Sequence, residues 1–235
     1  MPTIDVDKAG VMHRFVESDE ETDAFVRQAF PTWEPETFET FASVADPGST
    51  ALDLGAWIGT TSIWLAHHFR DVVAVECDRV SAPLLRANLE ASGCGNVAVL
   101  DQPVTSDGRV VVFGPRRHVN DSMSCVKPAA SCHEDVALRS LPLHTLLHLF
   151  APSFVKCDVE TTEQELLHEL LLYVVQHNAV ALVAFHLDWW PVPSAARFAS
   201  AFRTVQAWNM DERIDDPVAH LAKYQQGSLL FRPRA

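Results

Sequence analysis

Three short stretches hold the side chains best suited to chemistry. In Asp53-Leu54-Gly55-Ala56-Trp57-Ile58-Gly59, two glycines let the backbone turn sharply and let a ligand approach where a Cβ would otherwise stand. Glu76, followed by Cys77, closes the next apolar run, and an acid there can accept both hydroxyl protons of a ribose. Together these two features imply an adenosine-containing cofactor. In the third stretch Asp158 and Glu160 follow one apolar run, and His186 with Asp188 follows the next. His186 is the expected base, because an imidazole of pKa about 6.5 accepts a proton at neutral pH and nearby carboxylates raise its basicity.

Electrostatics select among adenosine cofactors. A dinucleotide turn needs Gly-x-Gly-x-x-Gly and a helix N-terminus free to take pyrophosphate, but here the middle glycine is absent and Asp53 adds a negative charge. S-adenosylmethionine carries a sulfonium and an ammonium and no phosphate, so it is the expected cofactor, with Asp53, Gly55, Ala56, Trp57, Gly59, Glu76 and Cys77 around it. Asp101 and Gln102, after a further apolar run, are placed at the adenine edge. A plainer reading of the first stretch stays open: Asp53 and the glycines only shape a strand-to-helix turn. For the third stretch, Asp158, Glu160 and His186 could instead hold a divalent metal, since carboxylate and imidazole suit such ions. No metal is assigned, because spacing alone supplies no coordination geometry. Glu160 and Glu163 could equally serve the N-terminus of the next helix.

The elements that must position these residues alternate along the chain. Strands are expected at Thr50 to Leu54, Val72 to Glu76, Val97 to Leu100, Phe154 to Asp158 and Ala179 to Phe185. Helices are expected at Thr61 to His67, at Ser81 to Ala91 with Ser81 as N-cap, and after the capping-box pair Thr162 and Glu165, with Leu166, Leu167, Leu170, Leu171 and Val174 as the buried stripe. Such alternation implies a doubly wound, mostly parallel α/β sheet with right-handed crossovers, a Rossmann-like architecture whose ligands sit beyond the carboxyl ends of the strands. Residues 1–48 form an expected helical extension, with a helix at 19–30 begun by a Ser18–Glu21 capping box and a second opened by Pro35; residues 49–235 form the cofactor-binding domain. Arg109 to Phe113 and Asp135 to Leu138 read as strands of a β insertion. Its loop residues His118, Asn120, Asp121, Ser122 and Ser124, together with Trp189 and Trp190, are candidates for an acceptor pocket. The C-terminus adds a helix and a last edge strand through Ser228-Leu229-Leu230-Phe231.

Composition narrows the function classes. The 235 residues include 31 acidic and 18 basic side chains, for a net charge of −13, with 48% hydrophobic residues. That supports a buried core and excludes intrinsic disorder. An acidic chain without a basic run is a poor partner for nucleic acid or anionic lipid, so neither is expected. The uncharged stretch from Leu170 to Leu187 is interrupted by Gln176, His177 and Asn178, and reads as a helix end and a buried strand rather than a membrane span. Five cysteines without Cys-x-x-Cys spacing imply free thiols, and the acidic N-terminus lacks the pattern of a secretion signal, so a cytoplasmic location is expected.

The chain resembles the FkbM-like family of S-adenosylmethionine-dependent methyltransferases. The resemblance is carried by Leu52 to Gly59, by Val73-Ala74-Val75-Glu76-Cys77-Asp78, by Leu85-Arg86-Ala87-Asn88-Leu89, and by Phe154-Val155-Lys156-Cys157-Asp158-Val159-Glu160-Thr161-Thr162-Glu163, with Trp33-Glu34-Pro35-Glu36-Thr37-Phe38 upstream. It covers about residues 33–190 and implies a class I methyltransferase fold and O-methylation of a hydroxylated small molecule or sugar. Where that family reads Asp-Val-Glu-Gly, this chain has Thr161. A β-branched residue is a poor substitute if the position needs a positive φ, so the loop is expected to differ there. Two other functions stay open: a cofactor-binding protein without catalysis and an NAD-dependent oxidoreductase.

Overall fold

The structure, a computed structural model, describes residues 2–115, 122–127, 135–186, 199–224 and 226–234. It opens with an antiparallel hairpin, β1 (Thr3–Lys8) and β2 (Val11–Val16), to which no expected element corresponds. The alternating burial of Ile4, Val6 and Lys8 puts one face of the hairpin against the body of the protein, and Ala9 and Gly10, both at positive φ, make the tight turn. The expected first helix is short: α1 (Glu20–Ala24) widens into a π turn over Phe25–Ala29 and tightens into a 3-10 turn over Phe30–Thr32. Its cap is Asp19, which accepts from Thr22 N at 2.9 Å, while Ser18 donates to Asp23. The second helix, α2 (Pro35–Val44), begins at Pro35 as expected.

The main body then follows as β3 (Thr50–Leu54), α3 (Ser62–His68), β4 (Asp71–Val75), α4 (Ser81–Ala91), β5 (Val97–Leu100), a two-residue β6 (Val104–Thr105), and the insertion strands β7 (Val110–Gly114), β8 (Cys125–Lys127) and β9 (Val136–Arg139). After β10 (Leu141–Pro142) come α5 (Leu143–Phe150), β11 (Phe154–Cys157), α6 (Glu163–His177), β12 (Val180–His186), α7 (Ala199–Phe202), β13 (Val205–Asn209), β14 (Glu212–Ile214), α8 (Pro217–Lys223) and β15 (Gln226–Pro233). Eight strands form the central sheet in the order β14-β13-β15-β12-β11-β3-β4-β5. β12, β11, β3, β4 and β5 run parallel, and β15 lies antiparallel between β12 and β13.

The C-terminal strand is therefore interior rather than at the edge, with β14 outside it. Two caps also differ from expectation. Asp78 Oδ1 accepts from Val80 N and Ser81 N, so α4 is capped by Asp78 and not by Ser81. Glu165 does not close a capping box on Thr162, because its carboxylate is drawn to Arg109 Nη1 and Nη2 at 2.6 Å and to Ser106.

Both faces of the sheet are buried, as parallel sheets require. Along β3, β11 and β12 the side chains alternate. Leu52, Leu54, Val155, Ala181 and Val183 join the stripe Leu166, Leu167, Leu170, Leu171 and Val174 of α6; Ala51, Phe154 and Leu182 face Phe38, Phe41 and Trp64 and the N-terminal hairpin. The insertion is a separate sheet, β8-β7-β9, standing at the carboxyl edge of the main one.

Candidate functional site

The carboxyl ends of β4, β3, β11 and β12 open on a cavity of ≈ 200 Å³. Four adjacent strands at a spacing of about 4.8 Å put its two ends about 14 Å apart. The β4 end is built around Glu76. The glycine turn after β3 brings Gly55 N and Ala56 N to Val75 O, both at 3.0 Å, which carries Trp57 N to within 2.9 Å of Glu76 Oε2. Asp78 N donates to Glu76 Oε1 at 2.7 Å. Each carboxylate oxygen thus takes one backbone N–H and keeps acceptor capacity for a ligand in the cavity that Glu76 lines. Burial pushes the Glu76 carboxyl up to about 7, against the pull of those two N–H groups.

Gly55, at φ +80°, is irreplaceable on geometric grounds: a Cβ there would lie 1.7 Å from the carbonyl oxygen of Asp158. The turn after β3 and the loop after β11 therefore press together backbone to backbone. Behind them, Lys156 Nζ donates to Gly55 O at 2.6 Å and lies 3.3 Å from Asp53 Oδ1 and 3.6 Å from Asp158 Oδ2. Burial opposes its charge, but the facing carboxylates of Asp53 and Asp158 outweigh it and raise the Lys156 pKa.

The other end gathers Asp158, Glu160 and His186. His186 Nε2 lies 3.3 Å from Glu160 Oε1 and 3.7 Å from Asp158 Oδ1, and His186 Nδ1 lies 2.9 Å from Oε1 of the fully buried Glu163. Burial works against protonation of the ring, but the bond to Glu163 and the charges of Asp158 and Glu160 raise its pKa to about 9. Thr161 follows at φ +88° and Glu160 stands at φ +48°. The positive φ feared for Thr161 is present, and its hydroxyl donates to Val126 O of β8 at 3.1 Å, tying this loop to the insertion. The loop nevertheless holds the carboxylates and His186 together.

Of the residues expected at the cofactor, Gly55, Trp57, Glu76, Cys77 and Gln102 line the cavity. Four others do not. Asp53 is fully buried behind the turn, where its Oδ2 accepts from Thr61 Oγ1 at 2.7 Å and Ser62 Oγ at 2.6 Å. With Lys156 beside it, Asp53 presents no free charge to a ligand, so the direct attraction expected between this acid and a cationic cofactor is absent. Ala56 is buried, and Gly59 is packed on Leu85. Asp101 is exposed and sits 3.5 Å from Arg86 Nη2. Ser122 and Ser124 line the cavity from the insertion, whereas His118, Asn120, Asp121, Asp188, Trp189 and Trp190 lie outside the described residues.

Several residues escaped the sequence reading. Phe25 and Trp33 complete an aromatic wall with the expected Trp57, Phe25 lying 5.1 Å from Trp57 and 6.1 Å from Trp33 between ring centroids. Glu34, at φ +42°, closes that side and is raised in pKa mainly by burial. Buried Lys8 pins the wall from behind, donating to Phe30 O at 3.0 Å and to Trp33 O. A lysine ending an alternating strand was the one available signal.

No family model matches the sequence, and no curated protein matches it. Among solved structures, yhhF from Escherichia coli, provisionally named a methyltransferase, aligns with TM-score 0.50 at 14% identity, over 100% of this chain and 99% of its own. An rRNA methylase from Streptococcus thermophilus aligns with TM-score 0.49 at 11% identity, over 85% of this chain and 95% of its own. TYW2 from M. jannaschii, in complex with AdoMet, aligns with TM-score 0.45 at 10% identity, over 99% and 87% respectively. At such identity the likeness to the Escherichia coli structure speaks for the fold alone, a Rossmann-like, doubly wound sheet.

Proposed function

We propose that the protein is an S-adenosylmethionine-dependent methyltransferase acting on a hydroxyl oxygen of a small molecule or sugar. The observation that carries the reading is the Glu76 carboxylate, held by Trp57 N and Asp78 N with an acceptor position left on each oxygen, beside a Gly55 turn that tolerates no Cβ. Two adjacent ribose hydroxyls match that pair of acceptors. The turn from Gly55 to Gly59, which lacks the middle glycine of a dinucleotide turn, disfavours the NAD reading. The resemblance of the segment from Phe154 to Glu163 to the FkbM-like family supports oxygen as the acceptor atom.

When bound, the cofactor supplies an electrophilic methyl group on a sulfonium whose departure needs no proton. The chain's own work is alignment and proton handling. Glu76 and the turn hold the nucleoside at the β4 end; Phe25, Trp33 and Trp57 wall the cavity against water; the carboxylates of Asp158 and Glu160, beside His186 at the β11 and β12 ends, receive the acceptor's hydroxyl proton. The persistence of that trio despite Thr161 supports an enzyme over a binding protein that has lost its acceptor site.

The reading is tested by calorimetric titration with S-adenosylhomocysteine and with NAD. Saturable binding of the first and none of the second is expected, and the reverse pattern would overturn it. Labelled S-adenosylmethionine with a panel of hydroxylated metabolites and sugars then tests the acceptor class.

A further inference from the structure

We infer that Asp158, Glu160 and His186 form a site for one divalent cation of the Mn²⁺ or Mg²⁺ class, opening on the cavity. One donor atom from each of the three residues lies within 4.8 Å of the other two, and His186 Nε2 is 3.7 Å from Asp158 Oδ1 and 3.3 Å from Glu160 Oε1. An octahedral ion with bonds of about 2.1 Å needs neighbouring donors about 3 Å apart and opposite donors about 4.2 Å apart, so a small closing movement places all three around one ion.

Two further features fit a metal site. Fully buried Glu163 accepts from His186 Nδ1 at 2.9 Å, which leaves Nε2 to the two carboxylates, as in the carboxylate–histidine pairs that orient metal ligands. The second oxygen of Glu163, Oε2, is buried and has no hydrogen-bond partner among the described residues, so this carboxylate is devoted to the ring. Independently, all three donors line the cavity, and the coordination positions they leave therefore face the space where an acceptor would lie. One imidazole and two carboxylates without a thiolate favour Mn²⁺, Fe²⁺ or Mg²⁺ over thiophilic ions. The ion's use, lowering the pKa of an acceptor hydroxyl, rests on the methyltransferase reading; its binding does not.

The test uses the whole chain, stripped with a chelator and titrated with MnCl₂ at fixed pH, with free Mn²⁺ followed by electron paramagnetic resonance and bound Mn²⁺ by pulsed measurement of nitrogen coupling. One Mn²⁺ per chain with a directly bonded nitrogen, competed by Mg²⁺, is expected. His186→Gln should abolish the nitrogen coupling, Glu160→Gln should weaken binding at least tenfold, and Glu163→Gln about 10- to 100-fold. The nitrogen coupling in the unaltered chain needs no variant, so misfolding of a variant does not rescue the proposal. No bound Mn²⁺ at millimolar concentration, bound Mn²⁺ without nitrogen coupling, or undiminished affinity in folded Glu160→Gln and His186→Gln would each overturn it. S-adenosylhomocysteine titrated separately distinguishes the two readings. Mn²⁺ without nucleoside binding removes the methyltransferase reading alone, and nucleoside without Mn²⁺ removes the metal site alone.

Discussion

Lys156 on β11 and Asp53 on β3 occupy the same register position on neighbouring parallel strands, and the ammonium lies 3.3 Å from Asp53 Oδ1 with both side chains buried. The pair sits under the glycine turn, and Lys156 also holds Gly55 O. Removing one member leaves a buried charge without its counter-ion. Lys156→Met should therefore cost about 3–5 kcal/mol in denaturant unfolding. The Asp53→Asn, Lys156→Met double variant should recover much of that loss, because neither charge remains. A double variant as unstable as the single one would show that packing, not charge, makes the contribution.

Gly55→Ala brings two costs together. The residue sits at φ +80°, and the new Cβ would meet Asp158 O at 1.7 Å, a backbone atom that can move only by parting β3 from β11. Left-handed backbone costs an alanine about 1–2 kcal/mol and overpacking about 1–3 kcal/mol, so a loss of about 3 kcal/mol in unfolding free energy is expected. Affinity for S-adenosylhomocysteine should fall with it. A folded Gly55→Ala protein of unchanged stability would mean that the two loops are not pressed together as described.

Much of the architecture was legible because strand and helix alternate with clear period changes. β3, β5 and α4 begin and end where apolar runs and helical stripes do. Errors fell where a side chain acts at a distance of two or three residues: Asp19 and Asp78 take the caps that Ser18 and Ser81 also suit by type. Glu165 abandons its capping box for Arg109, remote in sequence. The interior position of β15 is set by which strand it meets last, and a local apolar run carries no trace of that. At the site, the glycines and acids at strand ends announced themselves. Lys156 was hidden inside an apolar strand, and Lys8 inside a hairpin whose alternation passed unread.

Lys8 does not line the cavity, yet it should affect binding. Its ammonium donates to Phe30 O and Trp33 O, fixing the segment that presents Trp33 and Glu34 to the cavity. Lys8→Met leaves two carbonyls without their charged donor, at a cost of about 2 kcal/mol. The aromatic wall should loosen, weakening S-adenosylhomocysteine binding severalfold in calorimetry at a temperature where the variant is folded. Full affinity in that variant would uncouple the hairpin from the site.

Glu76 makes binding depend on pH in a definite direction. Burial raises its carboxyl to about 7, and a protonated carboxyl cannot accept from two ribose hydroxyls. Affinity for S-adenosylhomocysteine should therefore be highest above pH 8 and fall about tenfold between pH 8 and pH 6, with binding accompanied by proton release near pH 7. For the unliganded protein the sign is opposite. The folded state holds this proton more tightly than the unfolded chain does, so the contribution of Glu76 to stability falls as pH rises from about 4.5 to about 7. Glu76→Gln removes both effects: its affinity should be lower at pH 8 and nearly flat down to pH 6. A pH profile shared by the unaltered chain and Glu76→Gln would assign the titration to another group and would separate the ribose grip from this carboxylate.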